Sequence, residues 1–114
     1  MTEKELRTRF EDLTLDPATF SHAEHVRVAW TYLMEMPLAD VLRIFPENLR
    51  RFAAAAGAPG KYDAAMTVGW LTVIAERIDQ CKECLSWGRY IESNPELLER
   101  GVVEASWVSR TTSK

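Results

Sequence analysis

The sequence predicts an all-α fold: one domain over residues 1–114, an up-and-down helical bundle of four to six helices, one of them kinked at Pro46. Three observations carry this. Apolar residues recur at helical spacing through most of the chain. Pro, Gly and capping residues punctuate those stretches where helices start and stop. No repeat, low-complexity run or linker divides the chain, whose 114 residues can bury a single core.

Residues 3–12 read as a short amphipathic helix with Leu6, Phe10 and Leu13 on a narrow apolar stripe. Leu15-Asp16-Pro17-Ala18 is a turn. Ser21 then caps the next helix, and Glu24 three residues on completes an S-x-x-E capping box. That helix runs from His22 to about Met36 and stops before Pro37. Leu38, Val41, Leu42, Phe45, Leu49, Phe52 and Ala56 hold one register from 38 to 56. Pro46 lies inside it, so a kink or a division into two short helices is expected. Gly57 ends this element and Ala58-Pro59-Gly60 breaks the chain. A fourth helix runs from about Lys61 to Gln80, with Tyr62, Met66, Trp70, Val73, Ile74 and Ile78 on its stripe. Gly69 within it permits a close helix contact. A shorter fifth helix carries Trp87, Tyr90 and Ile91. Pro95 opens a last turn or two to Arg100, stopped by Gly101, and the polar tail from Thr111 is expected to be disordered.

A net charge of −3 with scattered basic residues gives nucleic-acid binding no electrostatic support. No apolar run approaches the roughly 20 residues that span a bilayer. The start Met1-Thr2-Glu3-Lys4-Glu5-Leu6 lacks a signal peptide's apolar core. A cytoplasmic protein is expected, with Cys81 and Cys84 as reduced thiols.

The chemistry-bearing stretch is the start of the second helix, which holds both histidines of the chain, His22 and His25. They share the inward stripe with Val26, Ala29 and Leu33. The positive end of the helix dipole disfavours imidazolium there, and neutral imidazole is the form that binds metals and accepts protons. Antiparallel neighbours place the start of the fourth helix at the same end of the bundle. His22, His25 and Asp63 are therefore the candidates for catalysis and for holding one divalent transition metal, with Tyr62, Thr67 and Trp30 as candidate ligand contacts. Each also has a structural reading: imidazoles bonded to backbone, Asp63 a helix cap, Thr67 bonded to a carbonyl, Trp30 a core residue. Cys81 lies eighteen residues past Asp63, roughly 27 Å along a straight helix, so the thiols stand apart from the histidines. A redox role for the cysteines needs a lowered thiol pKa, an option kept open by Lys82 and the nearby helix start.

The run Phe20-Ser21-His22-Ala23-Glu24-His25-Val26-Arg27-Val28-Ala29-Trp30-Thr31-Tyr32-Leu33, then Leu49-Arg50-Arg51-Phe52-Ala53, then Gly60-Lys61-Tyr62 with Thr67, resembles a family of short bacterial proteins with no assigned activity. Their pattern reads F-x-H-x-x-H-x-R-x-A-W-x-Y-L, L-R-R-F-A and G-x-Y-H-E-T-x-T, and the resemblance covers roughly residues 5–100. It implies a pocket of three histidines, a glutamate and threonines. Here Asp63, Ala64 and Ala65 stand where the pattern has its third histidine, the glutamate and the first threonine. The Cys81–Cys84 pair is not part of that pattern.

Two functions follow from different classes. One is a pocket for a metal or a small molecule, or for acid/base chemistry, at the histidine end. The other is a non-catalytic interaction module or homodimer with structural histidines, motivated by four tryptophans in a short chain.

Overall fold

The structure is a computed structural model and describes residues 1–112. It is all-α. The helices are α1 (Glu3–Glu11), α2 (His22–Glu35), α3 (Leu38–Ala55), α4 (Ala64–Gln80), α5 (Trp87–Ser93) and α6 (Arg100–Thr112). Short 3-10 turns at Pro17–Thr19, Pro59–Lys61 and Pro95–Leu98 each begin on proline, whose fixed φ suits a first helical position.

The centre of the bundle is α2. It buries Val26, Val28, Ala29, Trp30, Thr31 and Tyr32, more than one stripe can supply, because α1, α3, α4 and the Pro95 turn all pack around it. Phe10 of α1 fills the space between these elements. It is fully buried, with ring centroids 5.6 Å from Phe20, 5.6 Å from Phe45 and 5.4 Å from Phe52. One partly buried polar network ties α1, α2 and α3. The Tyr32 hydroxyl donates to Glu11 at 2.5 Å and accepts from Asn48 at 3.1 Å, and the Arg7 guanidinium lies 4.2 Å over the Tyr32 ring. Burial, the Glu11 bond and the Glu11 charge push the Tyr32 phenol far above its ordinary range, so it stays a donor.

Helix ends follow local chemistry. Thr2 and Glu5 form a reciprocal capping box at α1. Gly57, at φ 77°, closes α3 in the left-handed conformation that glycine adopts without strain. Pro46 does not divide α3. It withholds one backbone donor, but Val41 and Phe45 before it and Phe52 after it are all buried and hold both halves to the core.

The C-terminal segment departs from expectation. Gly101 does not stop the chain; it sits in the first turn of α6, which continues to Thr112. Tertiary contact overrides the weak helix propensity of glycine. The tail expected to be disordered from Thr111 begins as helix instead, since Thr111 and Thr112 end α6, and its remainder lies outside the described residues. The radius of gyration, 13.7 Å, is close to the about 13 Å expected for this length, consistent with a docked α6.

Gly69 is what lets α6 dock on α4. A Cβ there would stand 2.5 Å from the indole of Trp107. Glu104 and Arg110 of α6 complete the contact, accepting from Trp70 at 2.9 Å and donating to Glu76 at 3.1 Å. Gly69→Ala is therefore expected to destabilise the chain by about 1–3 kcal/mol, the usual cost of overpacking, despite alanine's better helix propensity. Urea unfolding followed by tryptophan fluorescence checks this, and a more stable variant would contradict the close packing.

Candidate functional site

His22 is the first residue of α2 because Ser21 caps it, its Oγ accepting the Glu24 N–H at 3.4 Å. Only this half of the expected capping box forms. The Glu24 carboxylate turns to Arg27 at 3.6 Å, and the Ser21 N–H goes to the Thr19 carbonyl at 3.0 Å.

The two imidazoles have different surroundings. His22 Nε2 lies 2.9 Å from the Leu97 carbonyl oxygen. A carbonyl only accepts, so Nε2 is the donor of this bond. The His22 ring stands edge-on to Trp70 at 4.7 Å. The Trp70 indole donates to Glu104 at 2.9 Å, and Arg100 Nε donates to the same oxygen at 3.0 Å. Burial works against ionisation of Glu104, but these two bonds outweigh it and hold the carboxyl below its usual range. His22 thus bonds the Pro95 turn directly and, through Trp70, borders the anchor of α6.

His25, one turn on, is half-buried against Phe20, with ring centroids 4.1 Å apart. Its imidazole makes no hydrogen bond to any described residue. Burial first, then the positive charges of His22 and Arg100, lower its pKa from 6.5 to about 4. It is a neutral donor and acceptor at pH 7, and too weak a base to work well as a general base there.

Asp63 is the exposed N-cap of α4, its Oδ1 accepting the Met66 N–H at 3.0 Å. Thr67 is buried and spends its hydroxyl on the Asp63 carbonyl at 2.7 Å. Tyr62 is half-buried and its hydroxyl has no hydrogen bond among the described residues. Trp30 belongs to the core beside Trp87 and Tyr90, its buried indole N–H meeting no acceptor among the described residues. Among the described residues no three His, Cys, Asp or Glu side chains are grouped to hold a metal ion. The expected His22, His25, Asp63 metal set is not among such groups, and Asp63 serves instead as the cap of its own helix.

The partners that sequence reasoning missed are Trp70 as a wall of the site, and Glu104 and Arg100. The last two lie on an element read as ending at Gly101. Val103 and Trp107, four residues apart and both packed on the core, are the signal that continues the helix.

The cysteines, expected as separate reduced thiols, are joined as a Cys81–Cys84 disulfide. Their separation from the histidines follows from the fold: Trp70, which touches His22, lies eleven residues before Cys81 on α4, about 16 Å along the axis.

No family model, curated protein or solved structure matches the chain.

The lowered basicity of His25 makes stability depend on pH. The unfolded chain takes up this proton more readily than the folded one, so the stabilisation is complete above pH 6.5 and falls as pH drops towards about 4. The loss amounts to at most about 3 kcal/mol. His25→Gln is expected to flatten the decline between pH 7 and pH 5, read as urea midpoints against the parent chain. Parallel declines in the two proteins would place the imidazole in water.

Proposed function

We propose that the chain binds a small acid, a carboxylate- or phosphate-bearing molecule, at the histidine end of the bundle, with His25 as the group that receives it. One observation carries this reading: His25 is a neutral, half-buried imidazole without a hydrogen-bond partner among the described residues, lying in the positive field of His22 and Arg100. Such a field repels a cation and attracts an anion. Phe20 packs on the His25 ring and Trp70 on the His22 ring. No reaction is assigned to the site. The lowered basicity of His25 favours hydrogen bonding to a ligand over proton abstraction from it.

The test is nuclear magnetic resonance of the two imidazoles during titration with small carboxylates, inorganic phosphate and zinc. A bound anion should raise the His25 pKa from about 4 towards 6.5, saturably, and zinc should not compete. The effect should vanish in His25→Gln while the helical circular dichroism persists. If no anion at millimolar concentration moves His25, the reading fails.

The second reading, self-association, is supported by large apolar side chains left exposed on either side of α5. Leu85 is 75% exposed and Leu98 45%. It predicts a homodimer by light scattering at high concentration that dissociates in the Leu85→Ser, Leu98→Ser double variant. A monomeric parent chain would remove it.

We further propose kinship with the bacterial family whose motifs the chain resembles, and a cytoplasmic location. Among the described residues no helix is long and apolar enough to cross a membrane. In the cytoplasm a disulfide is ordinarily transient, catalytic or redox-sensing.

A further inference from the structure

Far along α4 from the histidines lies a second reactive group. Cys81 ends α4, Cys84 precedes α5, and their sulfurs are bonded across Lys82 and Glu83. As a staple this bond does little, because the stabilisation a disulfide brings grows with the loop it closes, and only two residues intervene. The elements it joins are held without it. The fully buried Tyr90 donates its hydroxyl proton to the Ile74 carbonyl at 2.9 Å, Arg77 donates to Asn94 Oδ1 at 3.0 Å, and Arg77 also pairs with Glu96. The bond also faces open space: a cleft of about 310 Å³ is lined by both cysteines with Glu83, Arg89, Glu92 and Ser93. The two sulfurs are unequal. Cys84 is 4% exposed and packed in the core, whereas Cys81 is half-buried at the cleft.

We propose that Cys81–Cys84 is a thiol–disulfide exchange site whose co-substrate is a dithiol, with Cys81 as the attacked sulfur. Exchange proceeds by thiolate attack on an accessible sulfur, and access selects Cys81. One thiolate of the dithiol attacks Cys81 Sγ, forming a mixed disulfide and breaking the Cys81–Cys84 bond. Cys84 leaves with the electron pair and takes a proton from water. The Arg89 carbonyl oxygen, 3.8 Å from Cys84 Sγ, is placed to accept that thiol's hydrogen bond. The second thiolate of the dithiol then attacks its own partner sulfur in the mixed disulfide. Cys81 is released as a thiolate and protonated by solvent. The dithiol is oxidised by two electrons to a disulfide, the protein is reduced by two, and the reverse sequence restores it. Trp87 lies three residues after Cys84 and packs 6.0 Å from Trp30 and 6.2 Å from Tyr90, so opening registers in tryptophan fluorescence.

The test treats the folded full chain with dithiothreitol and counts free thiols by alkylation and intact mass, with circular dichroism recorded alongside. Two thiols should appear with no loss of helical signal, and oxidised dithiothreitol should reclose them. In single variants, Ellman's reagent should label Cys81 of Cys84→Ser at least about tenfold faster than Cys84 of Cys81→Ser. A parallel arm adds a catalytic amount of a Cys-x-x-Cys oxidoreductase. Acceleration there assigns a protein dithiol as co-substrate, and reduction by the small dithiol alone assigns a small molecule. Reduction only upon unfolding, a reduced pair that does not reclose, or equal labelling of the two variants would overturn the proposal.

Discussion

Everything in this fold rests on the position of the Phe10 ring. Without α1, the facing surfaces of α2 and α3 would leave an apolar space between Tyr32, Phe45 and Phe52, and Phe10 occupies that space with no exposure. Burying a phenylalanine fully is worth on the order of 1.5–3 kcal/mol, a large fraction of the stability of a small domain. The ring also reaches Phe20, and Phe20 in turn packs on His25. The orientation of the imidazole at the candidate site is thus inherited from a contact on α1. The Tyr32, Glu11 and Asn48 bonds add direction to this apolar contact, because a buried hydroxyl with two partners specifies one arrangement of three helices.

The second dependence runs between the two ends of the chain. His22 reaches across to the Leu97 carbonyl, seventy-five residues later, and satisfies a backbone acceptor beside α6. Trp70 then relays the contact to Glu104, which Arg100 also holds. The result is a division of labour between two residues one turn apart. His22 is consumed in closing the bundle, while His25 makes no hydrogen bond among the described residues. The same closure brings Arg100 near His25 and adds to the positive field that keeps it neutral. The helix dipole at the start of α2 acts in the same direction, although burial is the larger cause.

The histidine end and the disulfide also divide α4. Its N-terminal half presents Thr67, Gly69 and Trp70 to the rest of the bundle, and its C-terminus carries Cys81. A rigid helix separates the two, so chemistry at one end has no direct contact with the other.

The existence and order of α1 to α5 were legible in the residues alone. Apolar spacing, Ser21, Pro37, Gly57 and Pro95 mark boundaries through local physics that no neighbour has to supply. The inward placement of His22 and His25 followed from the same periodicity, and the close approach at Gly69 from a glycine in mid-helix. What tertiary structure decided is which groups meet. Asp63 and Trp70 lie on one predicted helix, yet Asp63 caps the first turn of that helix and Trp70 is the one that touches His22. Burial on more than one side of α2, including Val28 and Tyr32, exceeds any single stripe because several elements surround that helix. Helix α6 passes through Gly101 because Trp107 finds its place on Gly69, a contact thirty-eight residues apart along the chain. Local propensity is a few tenths to about one kcal/mol per residue, and docking an indole against a neighbouring helix outweighs it. The sequence by itself therefore determined the first five helices and the face on which the histidines lie, while long-range packing extended α6 and chose the histidines' partners.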